Sequence, residues 1–118
     1  VYGERYGAVS VCQQQGENRL VFDFGWMSDK GELSQRRTVL AALRHGHSVF
    51  IRVNVLSHGV CCFSFKQDEA EDWKTVEPQF AASAGKWVGA KIGIYSVSST
   101  VNAEVGYGEF AYFEMKVE

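Results

Sequence analysis

The side chains in this sequence that could do chemistry are its carboxylates, its three histidines, its three cysteines and its three tryptophans. Cleavage of a glycosidic bond needs two carboxyl groups facing each other across it, and acids at alternate positions of one β-strand share a face and can supply them. Glu109 and Glu114 stand an odd number of residues apart, on opposite faces of a regular strand, and Lys116 occupies the place of a middle acid between Glu114 and Glu118. The chain is therefore read as non-catalytic. Asp68, Glu69, Glu71 and Asp72 form the densest acidic cluster. Calcium is the ion such oxygens suit, but the spacing is not that of an EF-hand loop. A solvated hairpin tip is expected there, and no cofactor.

His45, His47 and His58 each adjoin a glycine, as exposed turn residues do, and no Ser or Cys is placed to form a nucleophile pair with them. The glycines over 85–93 fall inside a strand pattern rather than opening a helix, which excludes a phosphate-binding loop or dinucleotide fingerprint. Cys61 and Cys62 are neighbours and point to opposite sides of a strand. With Cys12 they are expected as free thiols acting as small hydrophobes; a link from Cys12 to one of the pair is the alternative, and no zinc spacing is present. The tryptophans are candidate sugar-stacking platforms, the bland alternative being packing. Trp26 shares the phase of Leu20, Phe22 and Phe24, which assigns it to the core. Trp87 opens its strand off the phase of Val88 and Ile92, and is the better candidate for an exposed role. Trp73, at the start of a short strand, is a further stacking candidate.

These residues are carried by strands. Residues 5–14 alternate with Ala8, Ser10 and Cys12 on one face and Val9 and Val11 on the other, and turn chemistry follows over 15–18. Residues 19–27 place Leu20, Phe22, Phe24 and Trp26 opposite Val21, Asp23 and Gly25. A turn over 28–32 leads to a strand over 37–43 with Val39, Ala41 and Leu43 in phase, and a third turn covers 45–47. Residues 48–57 put Val49, Ile51, Val53 and Val55 on one side and Arg52 and Asn54 on the other. After His58-Gly59, Cys61, Phe63 and Phe65 share a face, a polar loop covers 67–72, and a short strand over 73–76 ends at Pro78. Residues 79–85 are read as irregular, with at most one helical turn at 80–84. Two closing strands are expected over 88–95 and 109–115. In the first, Val88, Ala90, Ile92 and Ile94 alternate with Gly89 and Gly93, whose missing side chains would let a neighbouring sheet approach. Ile51 and Ile92 are both expected in the core.

About eight strands at close spacing and almost no helical periodicity spell an all-β fold, an antiparallel β-sandwich forming one domain over 1–118. Residues of the hydrophobic class make up 46% of the 118, enough for a filled core. A net charge of -2 leaves no basic footprint for nucleic acid or an anionic membrane surface, and no apolar run is long enough for a membrane helix.

Gly-Lys-Trp-Val-Gly-Ala-Lys-Ile-Gly-Ile-Tyr over 85–95 and Gly-Glu-Phe-Ala-Tyr-Phe-Glu over 108–114 resemble the end of the concanavalin-A-like β-sandwich that follows the catalytic propeller in glycoside hydrolase family 43, the β-xylosidases and α-L-arabinofuranosidases. Phe-Ile-Arg-Val-Asn-Val over 50–55, the His-Gly turn and Cys-Phe-Ser-Phe-Lys-Gln-Asp over 62–68 before Trp73 resemble that family's middle strands, with Glu69 departing from its usual Asp-Gly. The resemblance implies a jelly-roll sandwich without catalytic acids of its own. It would pack on the five-bladed propeller that carries them, support the pocket and contribute to homo-oligomer contacts. It also places an aromatic where this chain has Lys91; if that aromatic is the ring that closes the pocket, this chain lacks it. Trp73, Trp87 and Lys91 are the expected sugar or propeller contacts. The family's sandwich is longer than 118 residues, so either further strands lie upstream of Val1 or the parent is a shortened relative. The rival readings are a free-standing carbohydrate-binding, lectin-like module and a sandwich enzyme.

Overall fold

The computed structural model describes residues 4–83, 92–97 and 108–117. Seven strands are formed among them, all paired antiparallel: β1 (Arg5–Gln14), β2 (Glu17–Met27), β3 (Leu33–Ala42), β4 (Phe50–Val55), β5 (Val60–Lys66), β6 (Lys74–Thr75) and β7 (Phe80–Ala81). The first three make one sheet in the order β1-β2-β3. In the second, β4 pairs with one edge of β5, while β6 and β7 share the other.

The first hairpin is tighter than the turn chemistry over 15–18 suggests. Gln15 and Gly16 alone form the turn, with φ of 54° and 77°, and Gln14 already pairs with Glu17. Positive φ at both central residues matches the right-handed twist of the strands they join. β3 begins earlier than its apolar alternation indicates, because its first half is polar and exposed. Between Leu20 and Val21 its register slips: Ala41 faces Leu20 and Val39 faces Val21, leaving Leu40 unmatched as a bulge. Leu40, Ala41 and Leu43 all reach the core, whereas Val39 is exposed.

The two sheets meet through one cluster: Leu20 and Phe22 from β2, Cys61, Phe63 and Phe65 from β5, with Val76 and Phe80. Phe22 packs at 5.6 Å on Phe63, and Phe63 stacks on Phe80 at 5.9 Å. Exposure rises along the inner face of β2, from Leu20 at 0% and Phe22 at 2% to Trp26 at 38%. Trp26 thus has the expected phase but not the expected burial. Its ring leans on Phe24 at 5.5 Å at the end of the strand that the second sheet leaves open. Ile51 and Ile92 are also exposed rather than buried. Alternation assigns a residue to a face, but what covers that face comes from elsewhere in the chain.

Two further expectations change. Residues 79–85 were to be irregular, yet Phe80–Ala81 pairs with Val60 and Cys61 as β7 and delivers Phe80 to the core. Of the two closing strands, the described parts, 92–97 and 108–117, carry no strand pairing and are exposed; Val88, Gly89 and Ala90 lie outside the described residues. A strand exists only against a partner edge, which alternation alone does not provide. Gly93 has no atom near where its Cβ would be, so no close approach requires it. The close approach is at Gly7 instead, where an added Cβ would lie 2.4 Å from the Phe80 ring. On the outer face Tyr6 lies over Gly25 and donates its hydroxyl to Gln35 Oε1 at 2.6 Å, bridging the sheet. Also on that face, Asp23 accepts two hydrogen bonds from Arg37, at 2.7 and 2.8 Å. The Ser10 and Tyr95 hydroxyls are hydrogen-bonded to each other, which brings the 92–97 segment onto the same face.

All three cysteines are free thiols. Burial pushes the Cys61 thiol above its ordinary pKa, while Cys12 and Cys62 are half-buried. Because the thiolate is the reactive species, iodoacetamide should label Cys12 and Cys62 in the native protein well before Cys61, and unfolding should remove the difference; mass spectrometry of timed digests checks this. The raised pKa also sets a sign. Its contribution to stability is complete below the ordinary thiol pKa of about 8.5 and is lost as pH rises through the folded value.

Candidate functional site

The outward face of the second sheet brings together the polar and aromatic side chains of the middle of the chain. On β4 the outward residues are Phe50, Arg52 and Asn54; on β5 they are Cys62, Ser64 and Lys66. The register sets them in rows: Phe50 opposite Lys66, Arg52 opposite Ser64, Asn54 opposite Cys62, with Thr75 of β6 beyond Ser64. Trp73, immediately before β6, is half-buried against this surface. The Arg52 guanidinium sits 4.3 Å from its ring centroid and the Lys66 ammonium 5.0 Å from it. Beneath them Ser64 is buried, and its Oγ accepts from Arg52 Nε at 3.2 Å. Lys66 also lies 5.4 Å from the Phe50 ring and donates to the Glu69 carbonyl at 2.8 Å.

The arrangement is an indole holding two cations over a hydroxyl floor. Each such contact contributes about 0.5–1 kcal/mol when exposed. Of the expected contact residues, Trp73 is part of this surface, while Trp87 and Lys91 lie outside the described residues. Arg52, Lys66 and Phe50 were not singled out as site residues. The outward parity of Arg52, shared by Phe50 on the same strand, was visible, but only the β4–β5 register shows that Lys66 lies on that face.

A second concave surface lies on the inner face of the first sheet. It is a groove of about 140 Å³ lined by Phe22, Phe24, Trp26, Arg36, Thr38 and Pro78, at the end of β2 that the second sheet does not cover.

The acidic loop is wired into the fold. Glu71 accepts from Arg44 at 3.3 Å and from the Gln67 backbone N–H at 3.1 Å, and Asp68 accepts from the Ala70 N–H at 3.0 Å. Among the described residues no three His, Cys, Asp or Glu side chains come together as a metal ion would need. Glu109 and Glu114 are exposed, and Glu114 pairs with Lys116 at 3.3 Å.

No curated protein and no solved structure matches the chain. A family model does, over residues 1–116, a span that includes both sheets and the outward face just described. The two-sheet antiparallel architecture agrees with that family's fold, and the chain belongs to the beta xylosidase C-terminal concanavalin A-like domain family.

Proposed function

We propose that this chain is the non-catalytic accessory β-sandwich of a glycoside hydrolase acting on xylan- or arabinan-type plant polysaccharides, where it packs on the catalytic propeller and supports the active-site pocket. The observation that carries the reading is the family match over residues 1–116. The setting of the closing acids supports it, since a glycosidase needs a carboxyl pair enclosed around the scissile bond and both Glu109 and Glu114 are exposed. Several large apolar side chains on the outer face of the first sheet, Met27, Leu33 and Val39, are also exposed, and a docked domain would cover them. Contacts between copies in an oligomer would draw on the same kind of surface.

Aryl β-xyloside and aryl α-L-arabinofuranoside turnover by this chain alone is expected to equal the buffer blank. Turnover above the blank that disappears in Glu109→Ala or Glu114→Ala would overturn the non-catalytic reading. Mixed with the separately produced propeller of its parent, the chain should co-elute with it on size exclusion; separate elution at micromolar concentrations would overturn the packing.

A further inference from the structure

Among the described residues, no carboxylate forms an ion pair with the cations on the outward face of the second sheet. Arg52 and Lys66 lie within 5 Å of one indole centroid, so their charges are within about 10 Å of each other, a range at which salt leaves them interacting. Among the described residues the ion pairs are Arg19–Glu17, Arg37–Asp23, Arg44–Glu71 and Lys116–Glu114; none involves Arg52 or Lys66. The acidic loop next to them supplies neither with an ion-pair partner. Glu71 is taken by Arg44 and Gln67, Asp68 turns to the Ala70 N–H, and Glu69 offers Lys66 its backbone carbonyl. Glu69 and Asp72 are exposed. Arg52 donates its Nε–H to Ser64, and its two Nη groups have no hydrogen-bond acceptor among the described residues. An anion bound between these cations would turn their mutual repulsion into attraction.

The rest of the row narrows the anion. Asn54, in the row next to Arg52, and Thr75, in Arg52's own row across Ser64, are exposed, and Phe50 and Trp73 supply ring surface. Hydrogen-bonding groups, aromatic surface and paired cations together suit a ligand with both hydroxyls and a carboxylate. We propose that this face binds a carboxylate-bearing sugar, a uronic acid residue of an acidic polysaccharide. Its carboxylate would be held by Arg52 and Lys66, and its hydroxyls by Asn54 and Thr75. Arginine suits the first task because its planar fork accepts a carboxylate side-on. The choice of a sugar over another carboxylate rests on the reading that the parent works on plant polysaccharides.

The test is an NMR titration of the protein with D-glucuronate, D-xylose and acetate, following the Trp73 indole N–H and the Arg52 Nε–H. Xylose is the glucuronate ring without its carboxylate, and acetate is the carboxylate without the ring. Glucuronate should shift both signals saturably, with xylose and acetate each weaker by about tenfold or more, the loss expected when a charge-assisted hydrogen bond is missing. Arg52→Gln and, independently, Lys66→Gln should each weaken glucuronate by about tenfold, and added salt should weaken it in the parent protein. Equal response to xylose would overturn the role of the carboxylate. Acetate or an aspartate-rich peptide binding as tightly as glucuronate would make this a docking site for acidic protein and overturn the sugar. A flat glucuronate titration overturns the proposal outright, and because that series uses the unmodified protein it decides the matter even if a variant fails to fold. Turnover of aryl xylosides by the chain would overturn the accessory function without moving these signals, so the two readings fail separately.

Discussion

Replacing Phe22 by Ala is expected to lower the unfolding free energy by about 3–5 kcal/mol, the range for emptying a large aromatic site in a core. Phe22 is 2% exposed and is the point where the sheets touch, with Phe63 at 5.6 Å and Phe80 at 6.5 Å. Its removal takes away the transfer energy of the ring and leaves a cavity that rings on two other strands cannot close without moving. Ile51→Ala is the matched control. At 42% exposed it should cost less than about 1 kcal/mol, since a side chain that keeps much of its contact with water loses little transfer energy on truncation. Urea melts of both variants decide the point, and a Phe22→Ala loss no larger than that of Ile51→Ala would mean the sheets are held together elsewhere.

The second large effect comes from adding atoms. Gly7→Ala would place a methyl group 2.4 Å from Phe80 Cε1 and 2.7 Å from Cζ. The ring cannot retreat freely, because it is buried and stacked on Phe63. Overpacking of this kind costs about 1–3 kcal/mol. Combining Gly7→Ala with Phe80→Leu should cost less than the two single changes added together, because the smaller side chain vacates the space the methyl needs. Gly93→Ala, with no atom within 4 Å of the new Cβ, should change stability by no more than about 0.5 kcal/mol. Thermal or urea melts of the four variants check the set, and strict additivity at Gly7 and Phe80 would rule out the clash.

What could be read in advance follows from how far each feature depends on its neighbours in the chain. The alternation of Leu20, Phe22 and Phe24 is a local property, and it placed the inner face of β2 correctly. The burial of Trp26, in the same phase, depends on how far the second sheet extends, and no residue near Trp26 encodes that. Phe80 follows Pro78 in a stretch with no alternation, so its part in the core becomes visible only when β7 pairs with Val60 and Cys61. The bulge at Leu40 is hidden for a similar reason: Val39 and Ala41 share a parity in the sequence, but their register partners on β2 are adjacent residues. For the candidate site, Trp73 could be named from the sequence as a candidate contact, and the structure places it half-buried against the outward face of the second sheet. Its pairing with Arg52 and Lys66 was not foreseeable, because it needs three elements to converge.

The two-residue connection at Gln15 and Gly16 bears on the order in which the molecule assembles. It lets β1 and β2 pair along their whole length, from Gln14 with Glu17 to Arg5 with Trp26, without closing any long loop, and β3 joins through another short turn. Chain entropy therefore opposes this meander weakly. The contact of Phe22 with Phe63 and Phe80, by contrast, must close loops of some forty residues or more (about 3 kcal/mol of closure entropy beyond a constant). The three-stranded sheet is thus expected to form early, and the docking of the second sheet onto Phe22 to limit the folding rate.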